Sequence, residues 1–216
     1  VKRCGSTMVI CDFHARKPVQ TFQVPGAPLQ VRWALQPRNH YAFTTTALTS
    51  KIWLINQKQD GTFEANAVAD IGDPSKIPLP VDISLSTDDK FLFVNTFLDG
   101  TCRVFNVANP TKPKQVYEQK IGSQVNMVSQ SWDGKRVYFT TSLLANWDKK
   151  DEANEQFLKA YNWDGKALKH TFTVDFTKEG LGRPHIMHFG QDQFYKNQIY
   201  TEQQSAKDTT LAATAR

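Results

Sequence analysis

The stretch LSTDDKFLFVNTFLDGTCRVFNV, Leu85 to Val107, decides the fold class. It opens on a polar turn, Asp88-Asp89-Lys90, and runs into a strand in which Phe91, Phe93 and Asn95 alternate with Leu92, Val94 and Thr96. Successive side chains of a strand point to opposite faces, so this period of two predicts a half-buried strand. Asp99-Gly100 then supplies a hairpin turn, because glycine accepts a positive φ that a β-carbon resists. Cys102, Val104 and Phe105 begin the next strand, and Pro110 and Pro113 mark an outer loop, where a missing N–H breaks no central ladder.

The same pattern recurs on both sides. SQSWDGKRVYFTTSLLANW, Ser129 to Trp147, repeats the polar turn at Asp133-Gly134-Lys135, 45 positions after Asp88. LQPRNHYAFTTTALTSKIWLINQ, Leu35 to Gln57, carries an earlier copy whose turn at Arg38-Asn39 lies about 50 positions before the second. Several short strands repeated every 40 to 50 residues or so are the signature of a β-propeller, and no stretch keeps the apolar spacing of a helix for three turns. The fold class is therefore all-β. STMVICDFHARKPVQTF (Ser6 to Phe22) resembles GTCRVFNVANPTKPKQVY (Gly100 to Tyr117), so the chain starts in the second half of a unit and about three further units follow. Rings of this kind need roughly 4–8 blades, so the expectation is about half of a ring truncated at its N-terminus. Residues 1–200 are read as C-terminal blades, and 201–216, polar and aperiodic, as a flexible tail.

The 216 residues are 40% hydrophobic and 22% charged, with no run of apolar residues long enough for a membrane span. The net charge of +5 is spread over turns such as KPKQ, DGKR and WDKK, which argues against a nucleic-acid face. Cys4, Cys11 and Cys102 form an odd set without a CxxC spacing. Cys11 and Cys102 lie in strand-like runs, where a thiol acts as a small buried hydrophobe.

No phosphate-binding loop, nucleophile elbow or HExxH stands in the chain. The densest polar constellation is Gly182-Arg183-Pro184-His185-Ile186-Met187-His188, with two of the five histidines. Both reach one metal only if the segment bends; extended, they face opposite ways and one alone is a ligand. Imidazole suits copper, zinc, iron and nickel alike, and a histidine hydrogen-bonded within a loop is the competing reading. His14, His40 and His170 lie beside turns and face solvent. Trp147 and Asp148 either wall a pocket at the ring mouth or cap a blade. Asp88 and Asp89 belong to a recurring turn and are not an acid/base couple. A hydrolytic, lactonase-like propeller needs several acidic or Asn metal ligands, and only Asp82 and Asn146 offer themselves.

TTSLLANWDKK (Thr140 to Lys150) followed by VDFTKEGLGRPHIMHFG (Val174 to Gly190) resembles the C-terminal region of the selenium-binding protein/methanethiol oxidase family. Pro78 to Lys114 and Val9 to Phe22 resemble the preceding family segments, so the likeness reaches to about Gly190. Val125-Asn126-Met127 departs from a P-Q-M-like pattern, and the ending after Gly190 diverges. The resemblance implies a seven-bladed propeller about twice this length, whose bacterial members oxidise methanethiol with molecular oxygen to formaldehyde, hydrogen sulfide and hydrogen peroxide at a histidine-built copper site. It places a copper ligand on His185, with His188 the lesser candidate; the other ligands and the selenium-associated cysteine fall in the family's N-terminal half. The implied partners are a small thiol and O2, and homo-oligomerisation stays open. The implied compartment is the periplasm, as for bacterial methanethiol oxidases, or otherwise the cytoplasm. A non-catalytic selenium- or thiol-binding or protein-interaction propeller is the alternative.

Overall fold

The computed structural model describes residues 5–142 and 155–189, which form antiparallel β-sheets and one short 3-10 turn, Pro74–Lys76. Strands β1 (Thr7–Asp12) and β2 (Lys17–Gln23) pair as a hairpin. Three four-stranded sheets follow, each in sequential meander order. The first contains β3 (Pro28–Trp33), β4 (Tyr41–Thr46), β5 (Lys51–Gln57) and β6 (Phe63–Asp70). The second contains β7 (Pro80–Leu85), β8 (Phe91–Thr96), β9 (Thr101–Asn106) and β10 (Lys114–Lys120). The third contains β11 (Met127–Gln130), β12 (Arg136–Thr140), β13 (Phe157–Trp163) and β14 (Leu168–Asp175). Half a blade and three whole ones is the arrangement the repeats predict.

The sheets stack face to face, and that corrects the half-buried reading of β8. Leu92 and Val94 pack on Phe43, Ile52 and Leu54 of the first blade. Phe93, on the other face, packs on Val137, Phe139 and Tyr161 of the third. Both faces of a middle strand are thus covered, and Leu92, Phe93 and Val94 are all fully buried. Trp163 closes the second interface, with Phe91, Phe93 and Tyr117 edge-on to it at 5.3 to 5.8 Å between ring centroids. Cys102 lies inside this core, and burial raises its thiol pKa above the ordinary value. Cys11 departs from expectation: it is exposed, because its two-stranded hairpin is not sandwiched in the same way.

The recurring turns follow one chemistry. Ser86 Oγ donates to Asp88 and accepts from the N–H groups of Lys90 and Phe91. Ser131 repeats this with Asp133 and Arg136. The next position takes a left-handed backbone in both blades, at Asp89 (φ 57°) and Gly134 (φ 68°). Asp89 also reaches into the first blade, where its carboxylate accepts from Leu35 N (2.8 Å), Gln36 N (2.9 Å) and Asn39 Nδ2 (2.7 Å). Gly100, in the β8–β9 turn, is required twice over: its φ is 61°, and a β-carbon there would stand 1.7 Å from Gly122 O.

The first strands of the blades lie together along the inner side, with β7 meeting both β3 and β11. Among them Asp82 is wholly buried, with Oδ1 3.1 Å from Arg32 of the first blade and Oδ2 accepting Val128 N of the third at 2.9 Å. One carboxylate therefore fastens three blades.

Candidate functional site

The site is built on the inner edge of the third blade. Beyond β14, residues 181–189 form no regular strand, yet two side chains of the blade anchor them. Thr140 Oγ1 donates to His185 O at 2.5 Å, and Ser129 Oγ donates to Met187 O at 2.6 Å. The anchored carbonyls are two residues apart, the spacing at which an extended chain presents carbonyls to the same side. Buried Pro184 and the edge-on contact of Phe189 with Tyr138, at 5.2 Å, complete the attachment.

His185 is held at both ends. Its backbone is fixed by Thr140, and its Nδ1 lies 2.9 Å from Ser142 O. A carbonyl oxygen only accepts, so Nδ1 carries a proton, and in the neutral ring Nε2 is the nitrogen that presents a lone pair. Nε2 has no hydrogen-bond partner among the described residues, and the side chain is exposed. This is the state in which a neutral imidazole binds a metal, with its second nitrogen fixed by a backbone carbonyl. Ser142 O is shared: Asn126 Nδ2 donates to it at 3.0 Å.

His188 has other surroundings. It lines a cavity of about 320 Å³ with Arg32, Trp33, Gln130 and Trp132, and His185 is not on that wall. His14, His40 and His170 are exposed, as expected, although His170 sits within β14, edge-on to Tyr161. Among the described residues no three of His, Cys, Asp or Glu converge as a metal site. Asp82 is a staple and does not serve as a ligand at a mouth, since both its oxygens are engaged inside the protein. Burial pushes its carboxyl up to about 6, outweighing the opposing pull of Arg32, the Val128 and Ile83 N–H groups and His185. Trp147, Asp148 and Asn146, as well as Cys4 and the tail from 201, lie outside the described residues.

Sequence reasoning gave no role at the site to Asn126 or to the Ser142 carbonyl, although Ser142 lies in the stretch Thr141 to Lys149 that also holds Trp147 and Asp148. Asn126 was legible only as a departure from a family pattern, and Ser142 acts through its carbonyl, which no side-chain motif reports.

Among the described residues no helix is long and apolar enough to cross a membrane. The chain is 57% identical over 197 residues to a methanethiol oxidase of Ruegeria pomeroyi, covering 91% of this chain and 45% of that protein. It is 59% identical over 189 residues to a methanethiol oxidase of a Hyphomicrobium species, covering 88% and 43%. The chain thus spans less than half the length of these relatives. A hypothetical selenium-binding protein from Sulfolobus tokodaii superposes with a TM-score of 0.70 at 27% identity, over 80% of this chain and 47% of that one. The profile of the 56 kDa selenium-binding proteins matches residues 1–195, and with the blades, the inner segment and the relatives in agreement, the chain belongs to that family.

Proposed function

We propose that the protein containing this chain is a methanethiol oxidase and that His185 supplies one imidazole to its copper ion. The observation that carries the reading is His185 itself: Nδ1 is committed to Ser142 O, and Nε2 is exposed without a partner among the described residues. The identity to two methanethiol oxidases supports the choice of reaction. The balanced reaction takes methanethiol, O2 and water to formaldehyde, hydrogen sulfide and hydrogen peroxide. Carbon is oxidised by two electrons, and O2 accepts them. Bound copper would lower the thiol pKa and pass electrons to oxygen.

This chain's own contribution is positional. Thr140 and Ser129 hold the inner segment on the blade, so the imidazole is placed before any ligand arrives. The Ser142 carbonyl keeps the proton on Nδ1 and away from the metal-facing nitrogen. No other histidine accompanies His185 in a ligand cluster among the described residues, so the remaining ligands come from outside them.

The test uses the full-length protein. His185→Ala should lower copper content and peroxide release from methanethiol together. His188→Ala, which alters a different cavity, should change both by less than about twofold. Full copper loading and turnover in the His185→Ala protein would refute the assignment.

A further inference from the structure

Two of the donors to the Ser142 carbonyl come from described residues, and one of these belongs to the histidine. Asn126 Nδ2 donates to it at 3.0 Å, and His185 Nδ1 lies 2.9 Å away. Ser142 stands at φ 73°, a left-handed conformation that a side-chain-bearing residue rarely adopts without being held there. Asn126 is itself fully buried and fixed along its backbone. Its N–H donates to Thr140 O at 2.8 Å, and its carbonyl accepts Asn95 Nδ2 at 3.2 Å. Thr140 in turn holds the backbone of His185. A continuous path of hydrogen bonds thus runs from β8 of the second blade, through Asn95 and Asn126, to the carbonyl at which the imidazole is aimed.

From this convergence we infer that Asn126 is a positioning residue for His185: it holds the Ser142 carbonyl in its left-handed setting, and that carbonyl fixes the histidine's tautomer and ring orientation. An amide side chain suits the task because it donates without charge, and here it approaches the carbonyl from within the blade. Without that donor the Ser142 carbonyl loses the hydrogen bond that reaches it from the buried Asn126, and the acceptor at which the imidazole is aimed is held less firmly. The copper consequence rests on the function proposed above; the tautomer consequence does not.

The experiment reads both in the full-length protein. In metal-free protein labelled with 15N-histidine, two-bond proton–nitrogen spectra distinguish the tautomers. Wild-type His185 should be protonated on Nδ1; an Nε2-protonated ring there would overturn the proposal without any variant. Asn126→Asp, isosteric and lacking the donor while its carboxyl is ionised, should give at a pH that ionises it a mixture of tautomers and a copper(I) affinity about ten- to a hundredfold weaker by competition with a chromogenic chelator. Asn126→Leu serves the same purpose if the buried carboxyl prevents folding. A residue that merely stabilised the blade would shift the melting temperature and leave the tautomer unchanged, and that result would refute the positioning role. If His185→Ala keeps its copper, the proposed function fails, while the metal-free tautomer result still decides this inference.

Discussion

Asp89 offers the sharpest test of how neighbouring blades are joined. It is 3% exposed, sits at φ 57°, and accepts three hydrogen bonds of 2.7 to 2.9 Å from the β3–β4 loop of the first blade. Hydrogen bonds to a charged acceptor contribute about 1.5 to 3 kcal/mol each, but the loop donors are partly open to water, which replaces much of what is lost. Removing all three should therefore cost about 2 to 3 kcal/mol in total. The backbone adds a separable effect. Glycine accepts the left-handed conformation freely, as Gly134 does at the matching turn, whereas alanine there carries a further penalty of about 1 to 2 kcal/mol. Asp89→Gly should thus lose the clamp alone, and Asp89→Ala should lose clamp and conformation together. Asp89→Asn, which tolerates the conformation and keeps one acceptor oxygen, should be the mildest. Urea unfolding of the full-length protein gives the ranking. Equal stabilities for the glycine and alanine variants would refute the strain argument, and a wild-type-like Asp89→Gly protein would refute the clamp.

At Gly100, alanine should destabilise the protein by at least about 3 kcal/mol or abolish folding, because the new carbon meets a backbone oxygen; an unchanged melting temperature would contradict this. Asp82 should give stability a pH dependence of unusual sign. Its carboxyl ordinarily titrates at 3.8 and in the fold near 6, so between these values the native state keeps a proton that the unfolded chain has released. Stability should fall by up to about 3 kcal/mol as pH rises across that window, at about 1.4 kcal/mol per unit, and Asp82→Asn should flatten the slope in urea titrations. A slope unchanged in the variant would assign it to other groups. Iodoacetamide should reach buried Cys102 only after unfolding; its early labelling in the native protein would contradict the packing of the second interface.

The strands and turns were legible because their signals are local. Alternation around Phe93, the serine–aspartate turns and the glycine of the β8–β9 turn each follow from a few adjacent residues, and the repeat multiplied the evidence. The covering of both faces of β8 was not legible, since alternation reports that a strand has two faces and not that a second sheet lies on each. The staple made by Asp82 and the reach of Asp89 beyond its own turn were not legible for a related reason: their partners, Arg32, Val128 and the Leu35–Asn39 loop, are 46 to 54 positions away. His185 stood out by its neighbours in sequence, but the direction of its ring depends on a carbonyl 43 positions upstream. Backbone acceptors carry no residue-type signature, so the site's geometry became visible only in three dimensions.

Each blade changes character from axis to rim. β4 and β8 are buried along nearly their whole length, whereas β10 and β14, the last strands of their sheets, are largely exposed. Substitutions at the rim meet water and few neighbours, so they cost less there than on the inner strands. For the experimenter the same gradient marks out working space. A dye, an affinity tag or a surface-entropy change on the exposed positions of β14 would sit two strands away from β12 in the same sheet, leaving the inner histidine and its carbonyl undisturbed.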